Sequence, residues 1–132
     1  MAMRIASTGV SILDTKAVKR ENRPTYRAWV ATLPCIVTRR HGVQVAHLST
    51  ANPAVGHFGR GKAQKADDTW CLPLAPAEHT AQHAMNEIEY WRQHGIDPHR
   101  AALALFRIHT VYPADVATEV ATKIIMRGIG DA

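Results

Sequence analysis

His79 and His83 lie four residues apart in the run Glu78-His79-Thr80-Ala81-Gln82-His83. On a helix both imidazoles leave the same face, one turn from each other. A helix uses that spacing to hold one metal ion between two nitrogens. His47 comes earlier, inside the alternating run Val43-Gln44-Val45-Ala46-His47-Leu48, and from a neighbouring strand it can stand across the ion as a base. A catalytic ion usually takes a third protein ligand and keeps an open position. Asp67 and Asp68 are the nearby carboxylates, and His57 is a further option. The chemistry such a set supports is phosphodiester hydrolysis. The ion polarises a phosphate oxygen and steadies the leaving 3′ oxygen, while His47 takes a proton from the attacking water. An imidazole with an ordinary pKa of about 6.5 is neutral enough at pH 7 for that task. It also needs an acceptor on its other ring nitrogen, a demand placed on the tertiary structure.

The elements that must position these residues follow from local signals. Residues 1–23 show no sustained period and contain Lys16, Lys19, Arg20 and Arg23, which reads as a basic N-terminal arm. Pro24 in a first turn, followed by Tyr26, Trp29 and Val30, predicts a short helix over about 24–32 that Pro34 ends. Cys35-Ile36-Val37 and Val43–Leu48 read as two strands of a hairpin around the turn Arg39-Arg40-His41-Gly42. Residues 49–66 form a glycine-bearing basic loop with His57, Arg60, Lys62 and Lys65. A loop of that length in a compact domain is usually functional or disordered. Its Gly61-Lys62-Ala63 lacks the Ser or Thr of a phosphate-binding loop. A strand over 69–74 precedes a helix running from Pro76 to a stop at Gly95. The expected inner stripe of that helix is Ala77, Ala81, Ala84, Ile88 and Trp91, with His79, His83, Asn86 and Tyr90 on a second stripe turned away from it. Asp97 caps a further helix with Ala101, Ala102, Leu105 and Phe106 on its apolar face. A last helix over 116–126, carrying Val116, Val120, Ile124 and Ile125, ends near Gly128.

Charge is divided unevenly along the 132 residues. Residues 1–65 hold 11 Lys and Arg against 2 acids, whereas residues 66–132 hold 5 against 9. A basic half suggests a surface facing a polyanion, with nucleic acid the leading candidate. Arg39 and Arg40 of the turn, with Arg60, Lys62 and Lys65 of the loop, are the candidate DNA contacts, and they suit phosphates better than bases. A hydrophobic content of 46% allows one compact core. No apolar run is long enough for a membrane span or a signal peptide. The two cysteines, Cys35 and Cys71, read as free thiols of a reducing cytoplasm.

From about Tyr26 to Phe106 the chain resembles the HNH (ββα-metal) endonucleases, and within them the phage-encoded, RecA-dependent recombination nucleases and their prophage relatives. The residues carrying the resemblance begin with Trp29-Val30, Leu33–Val37, Ala46-His47-Leu48, Gly61-Lys62 and Asp67-Asp68. Pro73-Leu74, Glu78-His79 with His83, Asn86-Glu87, Trp91 and Gly95–Pro98 complete them. The resemblance implies that His47 is the general base and that His79 and His83 are metal ligands. Three positions depart from the pattern. Ala46 stands where an acidic or histidine ligand often precedes the base, and Trp70 falls near the central Asn. Of the two Cys-x2-Cys knuckles many relatives carry, the matching positions read Cys35-x2-Thr38 and Ala75-x2-Glu78, which excludes a four-thiolate zinc. Asp68 is the residue expected to replace the missing acidic ligand.

The expectation is therefore an α+β fold with a ββα-metal hairpin-plus-helix core and flanking helices. It divides into an arm (1–23), a nuclease domain (24–112) and a packed C-terminal helix (113–132). The expected activity is metal-dependent DNA endonuclease chemistry with little sequence specificity, using one divalent ion (Mg²⁺, Mn²⁺ or Zn²⁺) in phage or prophage recombination. The expected partners are DNA and a recombinase filament, in the cytoplasm and away from membranes. The second reading is a catalytically inactive DNA-binding accessory module of the same fold.

Overall fold

The structure is a computed structural model that describes residues 23–50, 52–55 and 67–129. Residues 1–22 of the expected arm, and His57, Arg60, Lys62 and Lys65, lie outside the described residues. The architecture is mixed α+β, with helices packed around a two-stranded antiparallel sheet. In chain order the main elements are α1 (Pro24–Val30), β1 (Gln44–His47), β2 (Cys71–Leu74), α2 (Pro76–Ala84), α3 (Glu87–Gln93), α4 (Pro98–Val111) and α5 (Ala114–Arg127). No helix among the described residues is long and apolar enough to cross a membrane.

Helix α1 begins at its proline and buries Tyr26, Trp29 and Val30, as the spacing predicts. It is held by α4 and α5. Tyr26 meets Phe106 of α4 edge-on at 5.2 Å, and Trp29 Nε1 donates to Thr118 Oγ1 of α5 at 3.0 Å. Arg23, just before the helix, stacks its guanidinium on the Phe106 ring at 4.9 Å.

The expected hairpin between 35–37 and 43–48 does not form. Residues 35–40 instead fold into a tight turn whose N–H groups find local acceptors. Cys35 Sγ accepts from the Val37 and Thr38 amides, Arg39 N–H donates to Cys35 O at 2.7 Å, and Cys35 N–H donates to Arg40 O at 2.8 Å. Arg39 takes a left-handed backbone (φ 64°) to close it. With those bonds made locally, β1 pairs across the long loop with β2, in register from Gln44 opposite Leu74 to His47 opposite Cys71. Leu48 N–H extends the ladder to Trp70 O. Cys71, Leu72, Pro73 and Leu74 are all buried, so pairing with them removes a fully apolar strand from water. Pro73 donates nothing to the ladder, but its carbonyl accepts the Ile36 amide and docks the turn onto β2.

The helix expected from Pro76 to Gly95 is two helices. Met85 is extended (φ −137°, ψ 176°), and Asn86 restarts the chain as an N-cap whose side chain accepts from Glu89 N–H. Asn competes well for that role because its side chain replaces a missing backbone acceptor. The break changes both expected stripes. Ala77, Ala84 and Ile88 are exposed, whereas Gln82, Tyr90 and Trp91 are buried. Tyr90 packs inward and donates to Glu78 at 2.7 Å, tying α3 back to α2.

Helix α4 follows its sequence signals closely, with Asp97 accepting from the His99 and Arg100 amides and Ala101, Ala102 and Leu105 buried. Helix α5 buries Ala117, Ala121 and Ile125 against it, leaving Val116 exposed and Val120 and Ile124 only half-buried. The contact stripe is thus shifted one residue toward the alanines, which let the two helices approach closely. Gly128 ends α5 in a left-handed conformation at φ 109°. Cys35 and Cys71 are free and buried.

Candidate active site

His47 ends β1, and the turn leading into β2 brings Asp68 to it. Asp68 Oδ1 lies 2.7 Å from His47 Nε2. The other oxygen, Oδ2, accepts the Arg23 amide at 2.7 Å and pairs with Arg27 Nε at 2.9 Å. Asp68 is 2% exposed. Burial alone would raise its pKa, but the Arg23 amide, His47 and the Arg27 charge together hold it below its ordinary value. A carboxylate only accepts, so the hydrogen of His47 sits on Nε2 and the lone pair of the neutral ring is on Nδ1. His47 keeps 22% of its side chain exposed, enough for solvent and substrate to reach it. His47 therefore has the acceptor that a general base would require.

That geometry corrects the expectation for Asp68. Both of its oxygens are engaged by His47, Arg27 and the Arg23 amide, so it orients His47 and is not grouped with the helical histidines. Asp67 is turned away as well, with Oδ1 accepting the Thr69 amide at 2.8 Å and lying 3.9 Å from Arg23 Nε.

The two helical imidazoles do meet. His83 Nε2 is 3.0 Å from His79 Nε2, with ring centroids 4.7 Å apart. Gln44, at the start of β1, places its Oε1 2.9 Å from His79 Nδ1. An amide oxygen accepts, so His79 carries its hydrogen on Nδ1 and turns the Nε2 lone pair toward His83. This is how a partner outside the ligand set fixes the tautomer of a ligating histidine. His83 Nε2 donates its hydrogen to that lone pair at 3.0 Å, and loss of this hydrogen would leave both nitrogens able to take one ion. No three His, Cys, Asp or Glu side chains among the described residues are grouped closely enough to enclose an ion. The pair would thus supply two nitrogens, leaving the other positions to water and substrate oxygens.

Strand β1 joins the two halves. It carries Gln44 and His47 about 10 Å apart along the chain, and α2 packs against it. The rings are close enough for charge to be felt between them. Burial first, then positive charge on His83 and on His47, lowers the His79 pKa below its ordinary 6.5. The folded chain then binds fewer protons at His79 than the unfolded chain does between that lowered value and 6.5. His79 thus contributes stability that is full above pH 6.5 and is lost as pH falls through its folded pKa. Urea unfolding between pH 7.5 and 5 should show this decline, and His79→Gln should flatten it.

The cationic residues are distributed differently from the sequence expectation. Arg39 lines a small cleft with Ile36, Val37, His94 and Gly128 that includes none of His47, His79 and His83, and Arg40 is exposed on the same turn. The cation at Asp68, and so beside His47, is Arg27, while Arg23 meets Asp68 through its backbone amide. Sequence reasoning gave neither of them a site role, and it missed Gln44. Arg23 contributes its backbone amide, which carries no signal in residue type, and Arg27 its guanidinium from the first turns of α1. Behind the site, Glu87 accepts from the Ser49 and Thr50 amides and from Gln82 Nε2, fastening the chain that leaves β1 to the α2–α3 junction.

The sequence model of one protein family, described as a protein of unknown function (DUF968), matches residues 7–107. No curated protein and no solved structure matches the chain.

Proposed function

The chain belongs to the DUF968 family, and we propose that it is a metal-dependent DNA endonuclease with little sequence specificity, acting in phage or prophage recombination. The observation carrying the proposal is the shared placement of two imidazole sets by one strand: His47 backed by Asp68, and His79 held by Gln44 against His83. The order β1, long loop, β2, α2 is the order a ββα-metal core requires, and the proposal takes it as such a core.

A divalent ion (Mg²⁺, Mn²⁺ or Zn²⁺) held by His79 and His83 would supply Lewis-acid stabilisation of the leaving oxygen. The chain's own residues do the rest. His47 Nδ1 takes a proton from water as the water oxygen bonds to phosphorus and the P–O3′ bond breaks. Asp68 accepts from Nε2 throughout and stabilises the imidazolium that forms. Arg27, with 42% of its side chain exposed, is placed to contact a neighbouring phosphate while its Nε stays paired to Asp68.

Supercoiled plasmid incubated with each divalent ion, with and without a recombinase filament, tests the proposal. Relaxed circles should appear with metal and vanish with EDTA. Intact plasmid under every metal, together with salt-sensitive binding, would favour the inactive accessory module. Asp68→Asn should slow nicking about 10²-fold without weakening DNA binding. It should also cost about 1–3 kcal/mol of stability, because the buried carboxylate that accepts the Arg23 amide and carries the charge facing Arg27 is lost.

A further inference from the structure

Glu87 opens α3 and takes no part in the hydrolysis as proposed, yet its carboxylate is where two elements meet. Oε1 accepts the Thr50 amide at 2.8 Å and the Ser49 amide at 3.2 Å, and Oε2 accepts Gln82 Nε2 at 3.1 Å. Ser49 lies two residues beyond His47, and Gln82 immediately precedes His83 on α2. One carboxylate therefore ties the chain that carries the base to the helix that carries the imidazole pair. A carboxylate suits this place because it only accepts, whereas an amide would turn N–H groups of its own toward the donors. Thr50 is held from a second side, where His99 Nε2 of α4 donates to its carbonyl at 2.7 Å.

The other tie between α2 and this stretch of chain is at the opposite end of β1, where Gln44 accepts from His79 Nδ1 at 2.9 Å. The helix is thus fastened both before and after His47. A single tie fixes a distance and leaves the helix free to pivot; a second fixes the direction in which His79 and His83 face the base. Gln82 is 3% exposed, so water competes little for the bond that completes the second tie. We propose that Glu87 is a positioning residue that sets the gap between His47 and an ion at His79 and His83. This rests on the endonuclease reading and adds the residue that aligns its two halves. Glu87 itself touches neither substrate nor ion, because Ser49, Thr50 and Gln82 occupy both of its oxygens. The imidazole pair lies within one turn of α2, so holding the ion does not depend on Glu87. Misplacing reacting groups by about 1 Å can cost about 10²-fold in rate. Loosening the tie should therefore act on the chemical step and not on metal or DNA binding.

The test uses the full chain with Mn²⁺, read by plasmid-nicking kinetics and by proton NMR of the His47 ring, whose signal His47→Ala identifies. Bound Mn²⁺ broadens nearby protons, and the broadening falls steeply with distance. In Glu87→Gln, kcat should fall about 10²-fold while KM for plasmid and Mn²⁺ affinity stay parental, and the broadening of the His47 signal should change. Gln82→Met removes only the α2 end of the tie. It should move the same readouts in the same direction and add little to Glu87→Gln when the two are combined. Glu89→Gln is the control, since Glu89 shares the first turn of α3 but is exposed and paired with Arg92, and every readout should stay parental. Parental kcat and parental broadening in Glu87→Gln would overturn the positioning role and leave the nuclease reading standing. Equal losses of Mn²⁺ affinity, DNA affinity and rate in both variants would also overturn it, as a purely structural tie. Changed broadening in a protein that cuts no DNA would keep the positioning role and remove the catalysis. A parent that binds no Mn²⁺ would end both.

Discussion

His47→Ala is expected to nick supercoiled plasmid about 10²- to 10⁴-fold more slowly than the parent, with DNA affinity and its salt dependence unchanged. The size of the effect follows from what the ring does. It is the group at this site with a free lone pair directed by a buried partner, because Asp68 holds the hydrogen on the opposite nitrogen. Removing it leaves water to lose its proton without help. The fold should survive, since the side chain is partly exposed and Asp68 keeps both Arg27 and the Arg23 amide. His47→Gln keeps a donor to Asp68 but lacks a base, so it should be as slow as alanine and more stable. Parental rates in either variant would dismiss His47 as the base, and circular dichroism of both would show whether slow cutting reflects chemistry or unfolding.

The second large effect is at the helical pair. His79→Ala combined with His83→Ala should abolish divalent-ion binding in a calorimetric titration, and cutting with it. Two nitrogens converging at 3.0 Å are the ligand pair on which the proposed ion depends, and with both gone no metal-binding nitrogen remains on α2. Gln44→Ala should act in the same direction more weakly, by about 10- to 100-fold in affinity, since it frees the His79 tautomer without deleting a ligand. The pair is near the surface, with His83 exposed and His79 half-buried, so stability should change little. Stoichiometric binding by the double variant would place the ion elsewhere and refute the ligand assignment.

Much of the frame was legible because local signals are short in range. Asp97-Pro98 opens α4, Gly128 closes α5 and Pro24 opens α1, each through a bond or a dihedral set within a few residues. The four-residue spacing of His79 and His83 brings the rings together for the same reason. The errors occur where a distant partner competed with a local pattern. Cys35-Ile36-Val37 has strand composition, yet the sulfur captures two nearby amides and the strand partner of β1 comes from residue 71 onward. A 3.6-residue period drawn through Ala77 to Trp91 ignored Asn86, whose cap breaks the helix and turns Tyr90 inward. Asp68 read as a ligand because it is acidic and near; only the packing of α1 against the turn showed both oxygens already in use.

By itself, the amino-acid order determined which residues are able to do chemistry here, and that two of them sit on one helical face. It determined helix starts and stops as well, because caps, prolines and glycines act on their immediate neighbours. Tertiary structure decided which carboxylate serves which imidazole, that Arg27 and the Arg23 amide stand behind His47, and that Gln44 orients His79. Those contacts join residues 21 to 45 positions apart. Their selection depends on strand register and helix docking, which are set by burial of the whole core and not by any one stretch of chain.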